Sequence, residues 1–380
     1  MSHLLSSMMP PYSIPSTMRA AVIEEFKKPY RFREIPTPTE PTGHDLLIKV
    51  LAASYCHTDA VLVEGKMSQD LPRIGCHEFA GRVVAAGPDV SKSLNIAIGD
   101  EVGVPGRAYH PCGVCDECTL DHGDPVGYSP YCLKAKNLGL TMNGGFCEYA
   151  LVDSQQVAPI PEDMTALEAA PLMCAGLTIW SALERVKEAN TIAIIGAGGG
   201  LGHLGVQFAA HLGKRTLAVD RGDKPLNLLK SVVDQMGSST PGSTVLVDSL
   251  VRDPKDVVQD VTDGGVEAVI FLPESQAAFD YGIQLLRNHG TMVVVSFPDE
   301  LKFSAKDLVF RDIKVIGSLV GRNHQLRQML NFAAKNRIKA ATKLYTLEDL
   351  NELVNQHRVG VGGKLVIDMD QKGKSEKSLT

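Results

Sequence analysis

The sequence predicts an α/β protein of two domains, one antiparallel and barrel-like and the other built on a parallel sheet. At 380 residues the chain is too long for one ordinary hydrophobic core. From Arg19 to about Val102, short β-branched segments are broken by Pro and Gly, which is typical of antiparallel strands joined by turns. From Thr191 onward, apolar strands alternate with amphipathic helices, and this alternation indicates a parallel sheet covered on both faces.

The elements of the barrel-like part follow from alternating or continuous apolar runs that end at turn residues. Strands are predicted at residues 20–23, 45–53, 81–86, 101–104 and 145–152. A cysteine-rich lobe separates the last two of them. The C-terminal stretch is assigned to this domain or to the hinge, with helices near 325–334 and 347–356 and a strand at 364–367.

The second part begins with one predicted helix over residues 167–183, where the apolar period changes to that of a helix. The strands and helices that follow are predicted at 191–195, 201–212, 216–219, 225–236, 245–247, 268–272, 276–287, 292–295 and 314–316. Alternation of this kind predicts that consecutive strands lie parallel in one sheet.

Composition excludes several classes of partner. The formal net charge is −6, and the sequence has no run of Lys or Arg that could bind the phosphates of a nucleic acid, so no nucleic acid partner is expected. No apolar stretch approaches the roughly 20 residues that span a bilayer, so no membrane partner is expected. The start of the chain lacks the layout of a secretory signal. A cytoplasmic location is predicted, with a mitochondrial presequence as the alternative.

Four of the eight cysteines have the spacing of a metal site. Cys112, Cys115 and Cys118 are separated by two residues each, and Cys132 follows after thirteen more. Such short steps let successive thiolates surround one tetrahedral ion, and four thiolates close it to substrate. The spacing predicts a structural zinc; redox-active or free thiols are the alternative. Cys76 and Cys147 are predicted to be small buried residues.

A second set of potential ligands is dispersed along the chain. Cys56 lies in a Cys-His-Thr-Asp run, His77 precedes Glu78, and Cys174 precedes an Ala-Gly pair. Two thiolates and one imidazole leave a fourth zinc position open, which distinguishes a catalytic zinc from a structural one. Taken singly, a buried Cys or His is more often part of a core. Taken together, the three predict an enzyme.

A glycine-rich turn lies between a predicted strand and a predicted helix. Its glycines let a pyrophosphate approach backbone N–H groups at the positive end of the helix. The residues expected to contact the dinucleotide there are Gly196, Gly199, Gly200, Leu201 and Gly202.

Asp220 ends the next predicted strand, 18 residues after Gly202. A carboxylate at this place can accept hydrogen bonds from the adenosine ribose and would repel a 2′-phosphate, so NAD is preferred to NADP. Arg221 could hold that phosphate instead. A glycine-rich turn with no ligand is the remaining alternative.

These motifs, in this order, resemble those of the zinc-dependent medium-chain dehydrogenases, especially the alcohol dehydrogenases of fungi and bacteria. The resemblance extends from about Met18 to Asp368. It implies a GroES-like, partly open β-barrel catalytic domain at 18–176 and 320–370, and a Rossmann domain with a doubly wound parallel sheet at 177–319. Flexible tails are expected at 1–17 and 371–380.

The resemblance implies roles for the residues around the dispersed set. Cys56, His77 and Cys174 would hold a zinc that lowers the pKa of an alcohol. Glu78 would sit behind the metal and enter its coordination transiently. Asp59 would fix the orientation of His77. Thr58 would contact the reacting hydroxyl.

Further coenzyme contacts are expected on the same basis. They are His57, Thr178, Lys224, Val295, Phe297 and Lys364. His57 faces the coenzyme pyrophosphate in relatives, and Lys364 keeps the charge of an arginine found there but not its bidentate fork.

Two further departures from the family pattern stand out. Val61 occupies the position where relatives carry a histidine that ends a proton path, so the path is expected to be truncated or rerouted. The third and fourth cysteines of the lobe enclose thirteen residues (119–131), where relatives have about seven. A longer loop adds little closure entropy, so we expect the zinc site to survive.

The resulting prediction is a zinc-dependent oxidoreductase with two zinc ions per subunit, which exchanges hydride between an alcohol, or its carbonyl, and NAD. The alternative is a zinc-dependent, NADPH-using carbonyl reductase of a biosynthetic pathway. A zinc-free alkene reductase would lack the Cys, His, Cys set, and a binding protein on the same fold would be expected to lose ligands or glycines. Because relatives are dimers or tetramers, a homo-oligomer is expected.

Overall fold

The computed structural model describes residues 12–38, 40–120, 129–237, 240–360 and 362–371. Most of the two predicted tails and the centre of the long cysteine-lobe loop lie outside these residues. The chain divides into two compact units. Unit 1 comprises Met1–Ala170, Tyr345–Val354 and Val366–Thr380, and unit 2 comprises Pro171–Leu344 and Asn355–Leu365. The domain boundaries at 176/177 and 319/320 stay predictions.

Unit 1 is mainly antiparallel sheet. Its strands are β1 (Thr17–Ile23), β2 (Arg31–Pro36), β3 (Asp45–Tyr55), β4 (Arg73–Ile74), β5 (Glu78–Ala86), β6 (Glu101–Pro105), β7 (Tyr149–Asp153) and β8 (Ala158–Pro159). Its helices include α1 (His57–Val63), α2 (Asp116–Thr119) and α3 (Ala166–Ala169), with a 3-10 turn at Lys92–Leu94.

Two sheets contain these strands. One has the order β2-β1-β4. The other has seven strands in the described residues, in the order β15-β16-β3-β5-β6-β8 with β7 paired to β3, where β15 is Thr342–Tyr345 and β16 is Lys364–Asp368. Ten of the eleven residues of β3 are buried, so this strand is covered on both faces. The predicted barrel-like sheet is confirmed.

Unit 2 is built on a parallel sheet. Its strands are β9 (Thr191–Ile195), β10 (Arg215–Asp220), β11 (Ser243–Asp248), β12 (Val266–Phe271), β13 (Leu286–Val294) and β14 (Lys314–Gly317). Its helices are α4 (Ala175–Glu184), α5 (Gly202–His211), α6 (Asp223–Met236), α7 (Pro254–Val261), α8 (Gln276–Leu285), α9 (Ala305–Arg311) and α10 (Asn323–Asn336). A 3-10 turn at Leu347–Asp349 and helix α11 (Leu350–Arg358) follow in the C-terminal part.

The sheet order is β11-β10-β9-β12-β13-β14, and each strand pair in it is parallel. The chain winds outward from β9 in one direction and then returns to β12 on its other side. This order is that of a doubly wound sheet, and a ligand crevice opens at the carboxyl ends of β9 and β12, where the winding reverses. The predicted fold class is therefore confirmed for this unit as well.

The prediction of one helix over 167–183 is wrong. The segment contains α3, a 3-10 turn at Ala170–Leu172 and then α4, and the two helical parts are bent by 51°. Pro171 accounts for the break, because a proline inside a helix removes a backbone donor and clashes with the preceding turn. As a result Cys174 lies in the break, where it is the N-cap residue of α4.

Two smaller differences also have physical causes. The helix predicted over 276–287 ends at Leu285, because Leu286 already pairs with Val266 as the first residue of β13. Helices α7 and α9 were not predicted; each is short, and each begins at an Asp or Ser N-cap whose side chain accepts a backbone N–H.

No single helix in the described residues has the length and hydropathy needed to cross a bilayer. The bent pair Ala166–Leu172 and Ala175–Glu184 together has the necessary length and apolar composition, and no other property supports a membrane span there.

Candidate active site

Asp59 is the centre of a buried hydrogen-bond network beside Cys56 and His77. Its carboxylate is fully buried in the first turn of α1. Oδ2 accepts the backbone N–H of Cys56 at 2.9 Å, and Oδ1 accepts the backbone N–H of Cys76 at 3.1 Å. Oδ1 also lies 3.2 Å from Nδ1 of His77. One carboxylate therefore fixes the backbone at Cys56 and the imidazole of His77.

His77 has one ring nitrogen engaged and one available. Since Nδ1 faces Asp59, it carries the proton that makes the hydrogen bond. Nε2 is buried and has no hydrogen-bond partner among the described residues. Burial lowers the pKa of His77, but the charges of Asp59 and Cys56 outweigh it and raise this pKa well above the usual value. A buried, unpartnered nitrogen held in a negative environment is what a cation ligand requires.

The dispersed residues meet in space. One ligand atom from each of Cys56, His77 and Cys174 lies within 4.8 Å of the other two. Cys56 is the N-cap of α1 and Cys174 the N-cap of α4, so helix starts place both thiols. Two Cys sulfurs and one His nitrogen form the donor set of a catalytic zinc with an open fourth position, and these residues fit such an ion.

Two other predicted residues flank this cluster. The Thr58 hydroxyl lies 4.0 Å from Sγ of Cys56, on the first turn of α1. Glu78 is fully buried at the start of β5. It is not part of the three-residue cluster found in the described part of the chain, so its entry into a metal's coordination stays a prediction.

The four cysteines of the lobe also come together. Ligand atoms of Cys112, Cys115, Cys118 and Cys132 lie within 4.8 Å of one another, and none of the eight cysteines, each within the described residues, forms a disulfide. Hydrogen bonds from the backbone N–H groups of Val114 and Cys115 and from neighbouring thiols lower the pKa of Cys112 to about 6, while burial raises the pKa of Cys118 to about 12. Amide donors of this kind favour thiolate, which is the form that binds metal. The set fits a closed tetrahedral zinc site.

A cleft of about 540 Å³ opens at the carboxyl ends of β9, β10, β11 and β12. Its size is typical of small-molecule sites. Six of the predicted cofactor residues line it, namely Gly196, Gly199, Gly200, Leu201, Gly202 and Asp220. At Gly202 a Cβ atom would lie 2.3 Å from the carbonyl oxygen of Gly196, so only glycine lets the helix begin this close to the strand.

Asp220 is oriented by the glycine turn itself. Its Oδ2 accepts the N–H of Gly198 at 2.7 Å, and its Oδ1 accepts the N–H of Arg221 at 2.8 Å. These bonds hold the carboxylate at the end of β10 and along the cleft, with one lone pair on each oxygen left for another donor. Arg221, the possible holder of a 2′-phosphate, lines the same cleft.

The other predicted cofactor residues do not line this cleft. Thr178 is buried within α4, and Lys224 is exposed in the first turn of α6. Val295 directly follows β13 and donates its N–H to the carbonyl oxygen of Phe271, while Phe297 is 52% exposed. His57 is exposed at the first position of α1. Their contacts with a coenzyme stay predictions.

Lys364 lies beside the glycine turn although it is not part of the cleft lining. Its side chain is buried at the start of β16. Its Cδ is 3.2 Å from the point where a Cβ on Gly200 would stand.

The sequence missed several residues of the cleft wall. They include Ser249, Leu250, Leu272, Pro273 and Tyr281. The available signal was their position: the first four follow β11 or β12 directly, and parallel strands end at one edge of the sheet.

Known proteins share this architecture over nearly the whole chain. Residues 42–162 match the family model described as alcohol dehydrogenase GroES-like domain, and residues 200–335 match that of zinc-binding dehydrogenase. An alcohol dehydrogenase of Geobacillus stearothermophilus is 34% identical over 363 residues, which cover 93% of this chain and 100% of the relative. Alcohol dehydrogenase 1 of Emericella nidulans is 33% identical over 368 residues, which cover 94% of this chain and 100% of the relative.

A solved structure agrees with these matches. The cobalt- and zinc-bound thermostable alcohol dehydrogenase of Pyrobaculum aerophilum is 27% identical, with a TM-score of 0.77 and coverage of 93% of this chain and 100% of that one. The matched regions define a GroES-like domain joined to a zinc-binding dehydrogenase domain. The chain belongs to the zinc-dependent medium-chain dehydrogenase/reductase family, and it is an oxidoreductase.

Proposed function

We propose that the protein interconverts an alcohol and its aldehyde or ketone by hydride exchange with NAD, at a zinc held by Cys56, His77 and Cys174. The observation that carries the proposal is the buried Nε2 of His77, which has no partner among the described residues and belongs to a cluster with two thiols. The relatives named alcohol dehydrogenase support the substrate class.

The chain's own residues have separate tasks in this reaction. In the oxidative direction, alcohol and NAD⁺ yield carbonyl, NADH and one proton. A zinc bound at the cluster supplies the Lewis acidity that lowers the pKa of a substrate hydroxyl. Asp59 holds His77 in the tautomer that presents Nε2. The Thr58 hydroxyl, close to Cys56, is the group we assign to accept a hydrogen bond from the substrate hydroxyl; as it takes that proton it gives up its own toward solvent, so that one proton leaves the site.

The test is a screen of the purified, zinc-loaded protein against panels of alcohols and carbonyls. Absorbance of the reduced nicotinamide would be followed with NAD and with NADP. We expect turnover with at least one alcohol and its own carbonyl product. A protein that binds both zinc ions and a dinucleotide but turns over no member of either panel would contradict the proposed substrate class.

The preference for NAD is assigned to Asp220. Replacing Asp220 with serine is expected to lower the ratio of kcat/KM for NAD to that for NADP by about 100-fold, because charged hydrogen bonds to a ribose are lost and repulsion of a 2′-phosphate disappears. Asp223→Ser is the control, since Asp223 is an exposed carboxylate close by on α6. Wild-type protein that already prefers NADP would contradict the assignment.

That outcome would favour the second candidate, an NADPH-using carbonyl reductase. The position of Arg221 in the cleft wall supports this candidate, because a guanidinium beside the ribose pocket can hold a 2′-phosphate. The Arg221→Ala variant distinguishes the two candidate functions. If Arg221 holds the 2′-phosphate, the variant should bind NADP more weakly and NAD as before. If it does not, the affinity for both coenzymes should be unchanged.

A second zinc is assigned to the four-cysteine lobe. Replacing Cys115 with serine should lower the zinc content from two ions to one and lower Tm by about 5–10 °C, because a structural metal contributes folding free energy. Activity of the remaining folded protein should change little. The control is Leu133→Ala, a fully exposed side chain on the same lobe. Loss of activity with unchanged Tm would contradict a structural role.

We further propose a cytoplasmic homo-oligomer. The eight described cysteines form no disulfide, which supports a reducing compartment. Oligomer formation is supported by apolar side chains on α9, of which Val309 is 74% and Phe310 79% exposed.

A further inference from the structure

His203, which has no partner evident in the sequence, connects two distant parts of unit 2. It lies on the first turn of α5, directly after the glycine turn, and is fully buried. Its Nδ1 is 2.8 Å from the carbonyl oxygen of Gly199, and its Nε2 accepts the backbone N–H of Ala341 at 3.0 Å. Ala341 is 138 residues away along the chain.

These two bonds fix one tautomer of the ring. Because a backbone N–H only donates, Nε2 is the acceptor and Nδ1 carries the proton that Gly199 accepts. The ring is therefore neutral. Burial and the nearby positive charge of Lys364 together outweigh the bond to Gly199 and lower the pKa of His203 to about 4. Both hydrogen bonds are thus kept throughout the neutral pH range.

The bond to Gly199 sets the direction of a peptide group in the cofactor turn. The Gly199 carbonyl accepts the ring Nδ1–H and also the backbone N–H of His203, at 3.2 Å. In a trans peptide the following N–H points opposite to the carbonyl. The N–H of Gly200 is therefore aimed away from the body of α5, toward the open end of the helix, where an anion binds.

The bond to Ala341 connects the same ring to Lys364. The carbonyl oxygen of Ala341 accepts the backbone N–H of Lys364 at 2.8 Å. The Lys364 side chain then passes over Gly200, with Cδ 3.2 Å from the position of an added Cβ. Through the peptide groups of Ala341, two hydrogen bonds of 3.0 and 2.8 Å therefore connect the ring of His203 to β16, the strand that carries Lys364.

We propose that His203 is a positioning residue for the dinucleotide pyrophosphate, which holds the Gly200 N–H and the Lys364 ammonium in register at the start of α5. The inference rests on the proposed function, because it concerns the cofactor of that reaction. It makes His203 part of the cofactor-binding structure although the ring itself touches no ligand.

The test compares ligands with and without a pyrophosphate. Kd would be measured for NAD, ADP and adenosine with wild-type protein and His203→Ala, together with kcat at saturating NAD. We expect Kd to rise about tenfold for NAD and for ADP, and to change less than about twofold for adenosine. We also expect kcat to change less than about twofold, because the residue acts on binding.

His211→Ala is a matched control. His211 lies at the other end of α5, and its Nδ1 bonds the carbonyl oxygen of Gln207, four residues back, at 2.9 Å in the same pattern. A second variant, His203→Asn, guards against a failure of the alanine variant to fold. The shorter amide can still donate to Gly199 but does not reach Ala341, and we expect it to recover part of the ADP affinity.

Four results would count against the proposal. Unchanged ADP affinity in His203→Ala, or an equal loss for adenosine, would overturn the proposal. So would additive effects of His203→Ala and Lys364→Met on ADP binding, since residues that act through each other are not additive. Wild-type protein that binds neither NAD nor ADP would instead contradict the proposed function and the inference with it.

Discussion

Replacing Cys174 with alanine is expected to lower kcat by about 1,000-fold or more, while NAD binding stays measurable. The substitution removes one of three ligand atoms that lie within 4.8 Å of one another. Loss of the metal removes several kcal/mol of charge stabilisation, and each 1.36 kcal/mol is about tenfold in rate. Zinc analysis should show one ion per subunit in place of two, since the four-cysteine cluster is intact.

The control for Cys174 is Cys147→Ala. Cys147 is also a buried thiol, but its Sγ contacts the carbonyl oxygens of Gly144 and Tyr149 and it belongs to neither cluster. The Cys147→Ala protein should therefore keep both zinc ions and most of the activity. A Cys174→Ala protein that turns over at the wild-type rate would show that the chemistry does not depend on this cluster.

Replacing Asp59 with asparagine is expected to have the next largest effect, a loss of zinc affinity of about 10- to 100-fold. The Asp59 oxygens face three donors, the N–H groups of Cys56 and Cys76 and the Nδ1–H of His77. An amide has one acceptor oxygen and one donor nitrogen, so at least one donor would face an NH₂ group. The His77 ring and the Cys56 backbone would lose their fixed orientation.

The affinity would be measured by competition with a metal chelator, and Asp100→Asn is the control. Asp100 accepts one backbone N–H, from Ala97 at 2.8 Å, in an exposed turn. Equal chelator resistance of Asp59→Asn and wild type would mean that the carboxylate does not organise the ligands. Rescue of the activity of Asp59→Asn by excess zinc would agree with the proposed role.

The strands of unit 2 were predictable because they are short, continuous and apolar. Residues 191–195 were predicted as a strand and are the bounds of β9, since a parallel strand buried on both faces carries an uninterrupted apolar run. Elements whose ends depend on contacts elsewhere were not predictable. Leu286 leaves α8 for β13 because Val266 pairs with it, and no local pattern reports that pairing.

The candidate site also contains residues that a local sequence pattern identifies and residues whose role depends on remote contacts. Cys56, His77 and Cys174 each stand in a local sequence that identifies them, so their meeting could be predicted. The apolar helical period continues across Pro171 and therefore predicts one helix, so the break that gives Cys174 its position is not visible in the sequence pattern. His203 could not be assigned at all, since its partner at Ala341 is remote in sequence and offers only a backbone N–H.

The central claim is that a zinc at Cys56, His77 and Cys174 supports hydride exchange between an alcohol and NAD. The most direct test follows alcohol-dependent formation of NADH before chelation, after chelation and after zinc is added back, with zinc content measured at each stage. We predict that activity is lost with the removal of zinc and returns with it. Undiminished NADH formation by protein shown to contain no zinc would contradict the account.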